Sequence, residues 1–122
     1  MRKILIIIPT LNEKGNISII LKKIKKFQNQ ASILFVDDNS KDGSINEIKN
    51  YKKKHKNIFL LLRKNKRGVG SAHKDGLKWG YKKGFNYLCT IDCDGTHDPK
   101  DIKKMLKIID RCDLVNTNRF LN

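Results

Sequence analysis

SILFVDDNSKDGS, residues 32–44, decides the fold. Residues 32–37, SILFVD, read as a strand. It stops at two aspartates, and Asn39-Ser40-Lys41-Asp42-Gly43-Ser44 is turn chemistry leading into a helix. Lys3–Ile8 upstream is a second such strand, followed by the loop Pro9-Thr10-Leu11-Asn12-Glu13-Lys14-Gly15-Asn16. Ile58–Leu62 is a third, before the loop Arg63–Gly70, and 86–91 is a fourth, running into Asp92, Asp94 and Asp98.

Helical spacing fills the intervals. Ile17, Ile20, Leu21, Ile24 and Phe27 share one face, with Lys opposite and Asn16 or Asn12 as the cap. Ile45, Ile48 and Tyr51 mark a short Lys-rich helix. Ser71 to about Lys83 is a third, with Ala72, Leu77 and Trp79 as apolar contacts. Asp98-Pro99 gives a cap and a first-turn proline for a fourth helix, with Ile102, Met105, Leu106 and Ile109 facing inward. Residues 113–118, DLVNTN, are a fifth strand. Alternation of this kind implies one α/β domain over residues 1–122: a doubly wound, mostly parallel sheet, of order 3-2-1-4 plus the fifth strand.

Composition narrows the class. The 27 Lys and Arg outnumber 12 Asp and Glu, giving +15. Of those cations 22 are Lys, and Lys, Asn and Ile, with A/T-rich codons, make 50 residues. The lysines are spread over several helices and read first as solvated faces, second as attraction to anionic lipid or a phosphate-bearing substrate. No aromatic-interleaved basic motif appears, so no nucleic-acid partner is expected. Apolar runs stop at five residues, Ile4–Ile8 and Ile58–Leu62, against the ~20 of a membrane span. Cys89, Cys93 and Cys112 read as reduced thiols of a cytosolic protein. With His97, two of them invite a zinc site, but a fourth ligand at a standard spacing is missing.

The placement of the acids carries the chemistry. Asn12 and Glu13 follow the first strand, Asp37 and Asp38 end the second, and Asp92 and Asp94 follow the fourth. In a doubly wound sheet these edges border the crevice where strand order reverses, the usual ligand site. Clustered carboxylates repel, and a neighbouring cation, a metal ion or solvent must offset them. Asp92-x-Asp94 on a turn can reach one hard cation, and Mg²⁺ shares its coordination with phosphates. Asp37–Ser40 also reads as a strand-to-helix connection with capping residues. Gly68-Val69-Gly70 reads as a tight turn at a helix start, since His73 and the absence of Gly-Lys-Ser/Thr exclude both common phosphate loops. Arg63–Arg67 reads as a solvated loop able to face phosphates.

Pro9–Glu13, Val36–Ser44, Gly68–Ala72 and Asp92–Pro99, in that order, resemble the family 2 glycosyltransferases of GT-A fold, above all the polyprenyl-phosphate (dolichol-phosphate mannosyltransferase) branch. The resemblance implies a GDP- or UDP-sugar donor, Mg²⁺ or Mn²⁺, inversion at the sugar, and a polyprenyl phosphate acceptor reached by peripheral contact at the cytoplasmic face of a membrane. It implies nucleotide binding by Pro9, Asn12, Glu13, Asp37 and Asp38. Asp92 and Asp94 match the metal-binding acids, and Thr96 stands where many relatives carry Gln, sometimes a further ligand. Arg119 matches an arginine near the donor phosphates, although Thr117-Asn118 replaces the common Gly-Ser. Family catalytic domains continue beyond such a point, so the chain is expected to hold the donor-binding half. Two other classes remain open: a nucleotide-sugar-binding module that needs a partner chain, and a basic protein of nucleic-acid or lipid surfaces.

Overall fold

The computed structural model describes residues 3–27, 30–65, 68–94 and 98–108. The elements alternate: β1 (Ile4–Thr10), α1 (Asn16–Phe27), β2 (Ser32–Asp37), α2 (Ser44–Lys54), β3 (Ile58–Leu62), α3 (Val69–Lys82), β4 (Tyr87–Thr90) and α4 (Lys100–Ile108). All pairings are parallel, and the order is β3-β2-β1-β4. The α/β class and the 3-2-1-4 order expected from sequence are both present. The expected fifth strand at 113–118 lies outside the described residues.

β1 reaches two residues past its apolar run, and the register shows why. Pairing with β4 ends at Ile7↔Thr90, while pairing with β2 continues to Thr10↔Asp37. Pro9 therefore sits where its missing N–H points beyond the end of β4 and removes no ladder bond.

Alternation along β1 divides the core. Ile4, Ile6 and Ile8 meet Ile17, Ile20 and Ile24 of α1, Ile48 of α2 and Ile102 of α4. Leu5 and Ile7, with Leu34 and Val36, face α3. Each isoleucine buried from water contributes roughly 1.5–3 kcal/mol.

α3 departs from expectation. It begins at Val69 rather than Ser71, and Leu77 is exposed. Ala72, Gly76 and Gly80 are its buried face. A Cβ on Gly76 would lie 2.5 Å from Ile7 Cγ2, and one on Gly80 2.6 Å from Leu88 Cδ2. The helix thus lies too close to the sheet for side chains, and a glycine stripe does the packing expected of Leu77. Trp79 covers the flank, 5.1 Å from the Phe59 ring and 6.2 Å from Phe85.

Candidate functional site: an acidic cleft at the carboxyl edge of the sheet

The carboxyl ends of all four parallel strands share one edge. β1 is the switch point, since its chain successor β2 lies on one side and β4 on the other. A cleft of about 230 Å³ opens there, lined by Pro9, Thr10, Leu11, Glu13, Asp38, Gly68, Val69, Asp92, Cys93 and Asp94. Five of the sequence-predicted site residues, Pro9, Glu13, Asp38, Asp92 and Asp94, therefore meet in one hollow. Asn12, which is exposed, and Asp37, which is buried, are not in the lining, and Thr96 and Arg119 lie outside the described residues. No lysine or arginine is among the described residues of the lining. A larger groove of about 380 Å³ opens at the opposite edge, near Leu21, Ile24, Ile33, Tyr51 and Ile58, but no acid lines it.

The two loops after β1 and β2 are fastened to each other by their polar side chains. Asn12 N–H donates to Ser40 Oγ (2.8 Å), Glu13 N–H to Ser44 Oγ (2.9 Å) and Lys14 N–H to Asp42 Oδ2 (3.0 Å). In return Lys41 N–H donates to Asn12 Oδ1 (2.8 Å). Asn12, with φ of 55°, is thus a brace between loops rather than the cap of α1. Asp42 also accepts from the N–H and the hydroxyl of Ser44, and the hydroxyl bond holds its carboxyl below the usual range. Gly43 precedes α2 with φ of 96°, which favours a residue without Cβ.

Asp37 is fully buried. Its Oδ2 accepts from Thr10 Oγ1 (2.6 Å) and Ser40 Oγ (2.7 Å), and its Oδ1 from Ser40 N–H (2.8 Å). It ties the end of β1 to the turn after β2. Asp38 is also buried but reaches the cleft lining. It is paired with Arg63, whose Nε donates to Oδ1 (2.6 Å) and Nη2 to Oδ2 (2.9 Å). Gly68 N–H adds a third bond to Oδ2 at 3.0 Å.

Arg63 was expected in a solvated loop and is only 5% exposed. The β2–β3 register explains this: Asp37 pairs with Leu62, so the next residues, Asp38 and Arg63, emerge side by side. That alignment of strand ends was the available signal. The carboxylate of Asp38 raises the Arg63 pKa further, with Asp75 adding to it against the cost of burial.

Asp92 is half-buried and Asp94 exposed, on either side of the buried Cys93. The Cys93 thiol is a probe of the local field. Burial, then the charges of Glu13, Asp94 and Glu47, push it up to about 12. With Glu13, Asp38, Asp92 and Asp94 in its lining and no lysine or arginine among the described residues there, the cleft suits a cation. Among the described residues no trio of His, Cys, Asp and Glu is gathered to hold a metal alone. The donors present, two aspartates at the lip, fit a hard ion that completes its shell with water and phosphate oxygens, as Mg²⁺ and Mn²⁺ do. Among the described residues they lack the nitrogen and sulfur ligands of a structural zinc site.

Residues 5–121 match the family described as Glycosyl transferase family 2. The chain belongs to that family. It is 31% identical over 117 residues to an undecaprenyl-phosphate mannosyltransferase of Micrococcus luteus, covering 96% of this chain and 48% of that protein. It is 32% identical over 124 residues to a polyprenol monophosphomannose synthase of Mycolicibacterium smegmatis, covering 98% and 46%. The chain thus spans about half the length of these relatives. The fold recurs in solved structures. Mannosyltransferase PcManGT from Pyrobaculum calidifontis, in complex with GDP-Man and Mn²⁺, superposes with a TM-score of 0.74 at 21% identity, over 89% of this chain and 33% of that one.

Proposed function

We propose that the cleft binds the diphosphate of a GDP- or UDP-sugar together with Mg²⁺ or Mn²⁺, and that the protein transfers the sugar, with inversion, to a polyprenyl phosphate. The observation that carries this is the meeting of Glu13, Asp38, Asp92 and Asp94 on one hollow at the switch point of the sheet. The names of the relatives support the acceptor, and GDP-Man and Mn²⁺ in the Pyrobaculum structure support the donor and the ion.

Asp92 and Asp94 would hold the ion, with Thr96 as a further ligand. Its positive charge would stabilise the negative charge that grows on the departing diphosphate oxygen. Pro9 and Glu13 would form the nucleotide wall, Asn12 would hold their loop against the one after β2, Asp38 would accept an N–H of the base, and Asp37 would keep that wall in place. By the family resemblance Arg119 would serve the donor phosphates. A phosphate acceptor carries its own oxyanion near neutral pH, so no side chain need remove a proton from it. The lysines assist by drawing the protein to an anionic cytoplasmic membrane face. No described helix is long and apolar enough to cross a membrane.

A second reading keeps the cleft and its ligand but not independent turnover: a nucleotide-sugar-binding module that turns over only with a partner chain. Calorimetry with GDP, UDP and their sugars, with and without Mn²⁺, tests the shared part. Mn²⁺-dependent binding that Asp94→Ala weakens about a hundredfold is expected. Binding of RNA that ignores Asp94→Ala, with no nucleotide binding, would overturn both readings. Steady conversion of donor to lipid-linked sugar separates the enzyme from the module.

A further inference from the structure

We propose that Arg63 is a positioning residue for the nucleotide base, acting through Asp38. This rests on the reading of the cleft given above. An arginine has five N–H donors in a rigid fork, and here every one is used inside the protein. Nε and Nη2 take Asp38, Nη1 takes Ser71 Oγ (2.7 Å) and Asp75 Oδ2 (3.1 Å), and Nη2 also takes the Gly68 carbonyl (3.1 Å). The guanidinium has no donor left for a ligand, so its influence passes through its partners.

Those partners define what it does. A carboxylate offers about four acceptor positions. On Asp38, Oδ2 accepts from Arg63 and Gly68, and Oδ1 accepts from Arg63. Among the described residues these are its partners, which leaves one position, on Oδ1, in a residue that lines the cleft. Arg63 thereby leaves Asp38 one acceptor for one N–H donor, the group that a uracil or guanine ring presents. Asp75 and Ser71 on α3 hold the guanidinium from behind, and the Gly68 contacts place the start of α3 against the same carboxylate. A lysine could not reproduce this, because an ammonium has no fork to make two parallel bonds.

The test compares binding of GDP and UDP with binding of inorganic pyrophosphate, both with Mn²⁺, on the full chain. Arg63→Met is expected to weaken the nucleotide about ten- to a hundredfold, the worth of one charge-assisted hydrogen bond, and to leave pyrophosphate unchanged. Arg63→Lys is expected not to rescue. Arg63→Met combined with Asp38→Ala is expected to bind no more weakly than Asp38→Ala alone. Unchanged nucleotide affinity in Arg63→Met, full rescue by lysine, multiplying losses in the double variant, or a parallel loss of pyrophosphate would each overturn the proposal. If Arg63→Met does not fold, Asp75→Asn decides: a severalfold loss confined to the nucleotide supports the role, and no loss refutes it. A wild-type chain that binds neither ligand would end the reading of the cleft as well, a different result from variants that bind like wild type.

Discussion

Asp37 and Asp38 at the end of β2 are 0% and 5% exposed, whereas Asp92 and Asp94 after β4 are half-buried and exposed. The first pair is bound into the protein, one by Thr10 and Ser40, the other by Arg63 and Gly68. The second pair stands at the lip of the same hollow. One sheet edge thus carries two kinds of carboxylate. Buried and bonded to the protein, a carboxylate fixes the shape of a wall; near solvent, it can enter the shell of an arriving ion.

Substitution of each pair should separate these roles. Asp37→Ala is expected to cost about 2–4 kcal/mol of stability, because it leaves two buried hydroxyls and an amide without their acceptor; urea denaturation measures it. A loss below ~0.5 kcal/mol would break the contrast, since that is what an exposed site shows. Asp94→Ala should do the reverse. Its stability change stays within ~0.5 kcal/mol, while Mn²⁺-dependent nucleotide affinity falls about a hundredfold, ~2.7 kcal/mol.

Gly76→Ala sharpens the comparison from the side of the frame. The added Cβ would stand 2.5 Å from Ile7 Cγ2 and 3.3 Å from Val36 Cγ2, and overpacking of this kind costs about 1–3 kcal/mol. α3 also carries Gly68 against Asp38, so nucleotide affinity should drop with stability here, as it does not in Asp94→Ala. Asn12→Ala removes the Lys41 N–H acceptor at 2.8 Å and is expected to cost about 1 kcal/mol, read in the same denaturation experiment.

The smallest effect is on pH dependence. Burial pushes Cys89 up to about 11, and burial with the neighbouring acids pushes Cys93 up to about 12. A thiol whose folded pKa lies above its unfolded value of ~8.5 stabilises the fold fully below that value. The contribution is lost as pH rises towards the folded values, so stability should decline above about pH 9. Both thiols should also resist alkylation at pH 8 until the chain is unfolded.

Much of this was legible in the sequence, for identifiable reasons. Fully apolar strands ending in acids, at regular intervals, leave few arrangements besides a parallel sheet with its acids on one edge. Asp38, Glu13, Asp92 and Asp94 could be assigned to a common cleft because strand ends need only be counted. Arg63 could not be read as buried from its neighbours, since Lys64 and Asn65 beside it look like solvated loop; only the register of β2 against β3 reveals its partner. Leu77 was misplaced because helical periodicity scores apolar side chains, and Gly76 and Gly80 pack by having none. Asn12 looked like a cap because its residue type suits one, while its bond runs to another loop, 29 residues away.

Electron–nuclear double resonance on Mn²⁺ with UDP or GDP bound to the chain tests the central claim most directly, by asking whether the acids and the nucleotide share one ion. Coupling between the bound Mn²⁺ and phosphorus of the diphosphate is expected in the wild-type chain and absent when Asp92 and Asp94 are both changed to Asn. Phosphorus coupling that survives the double change, or Mn²⁺ bound with no phosphorus nearby, would contradict the account.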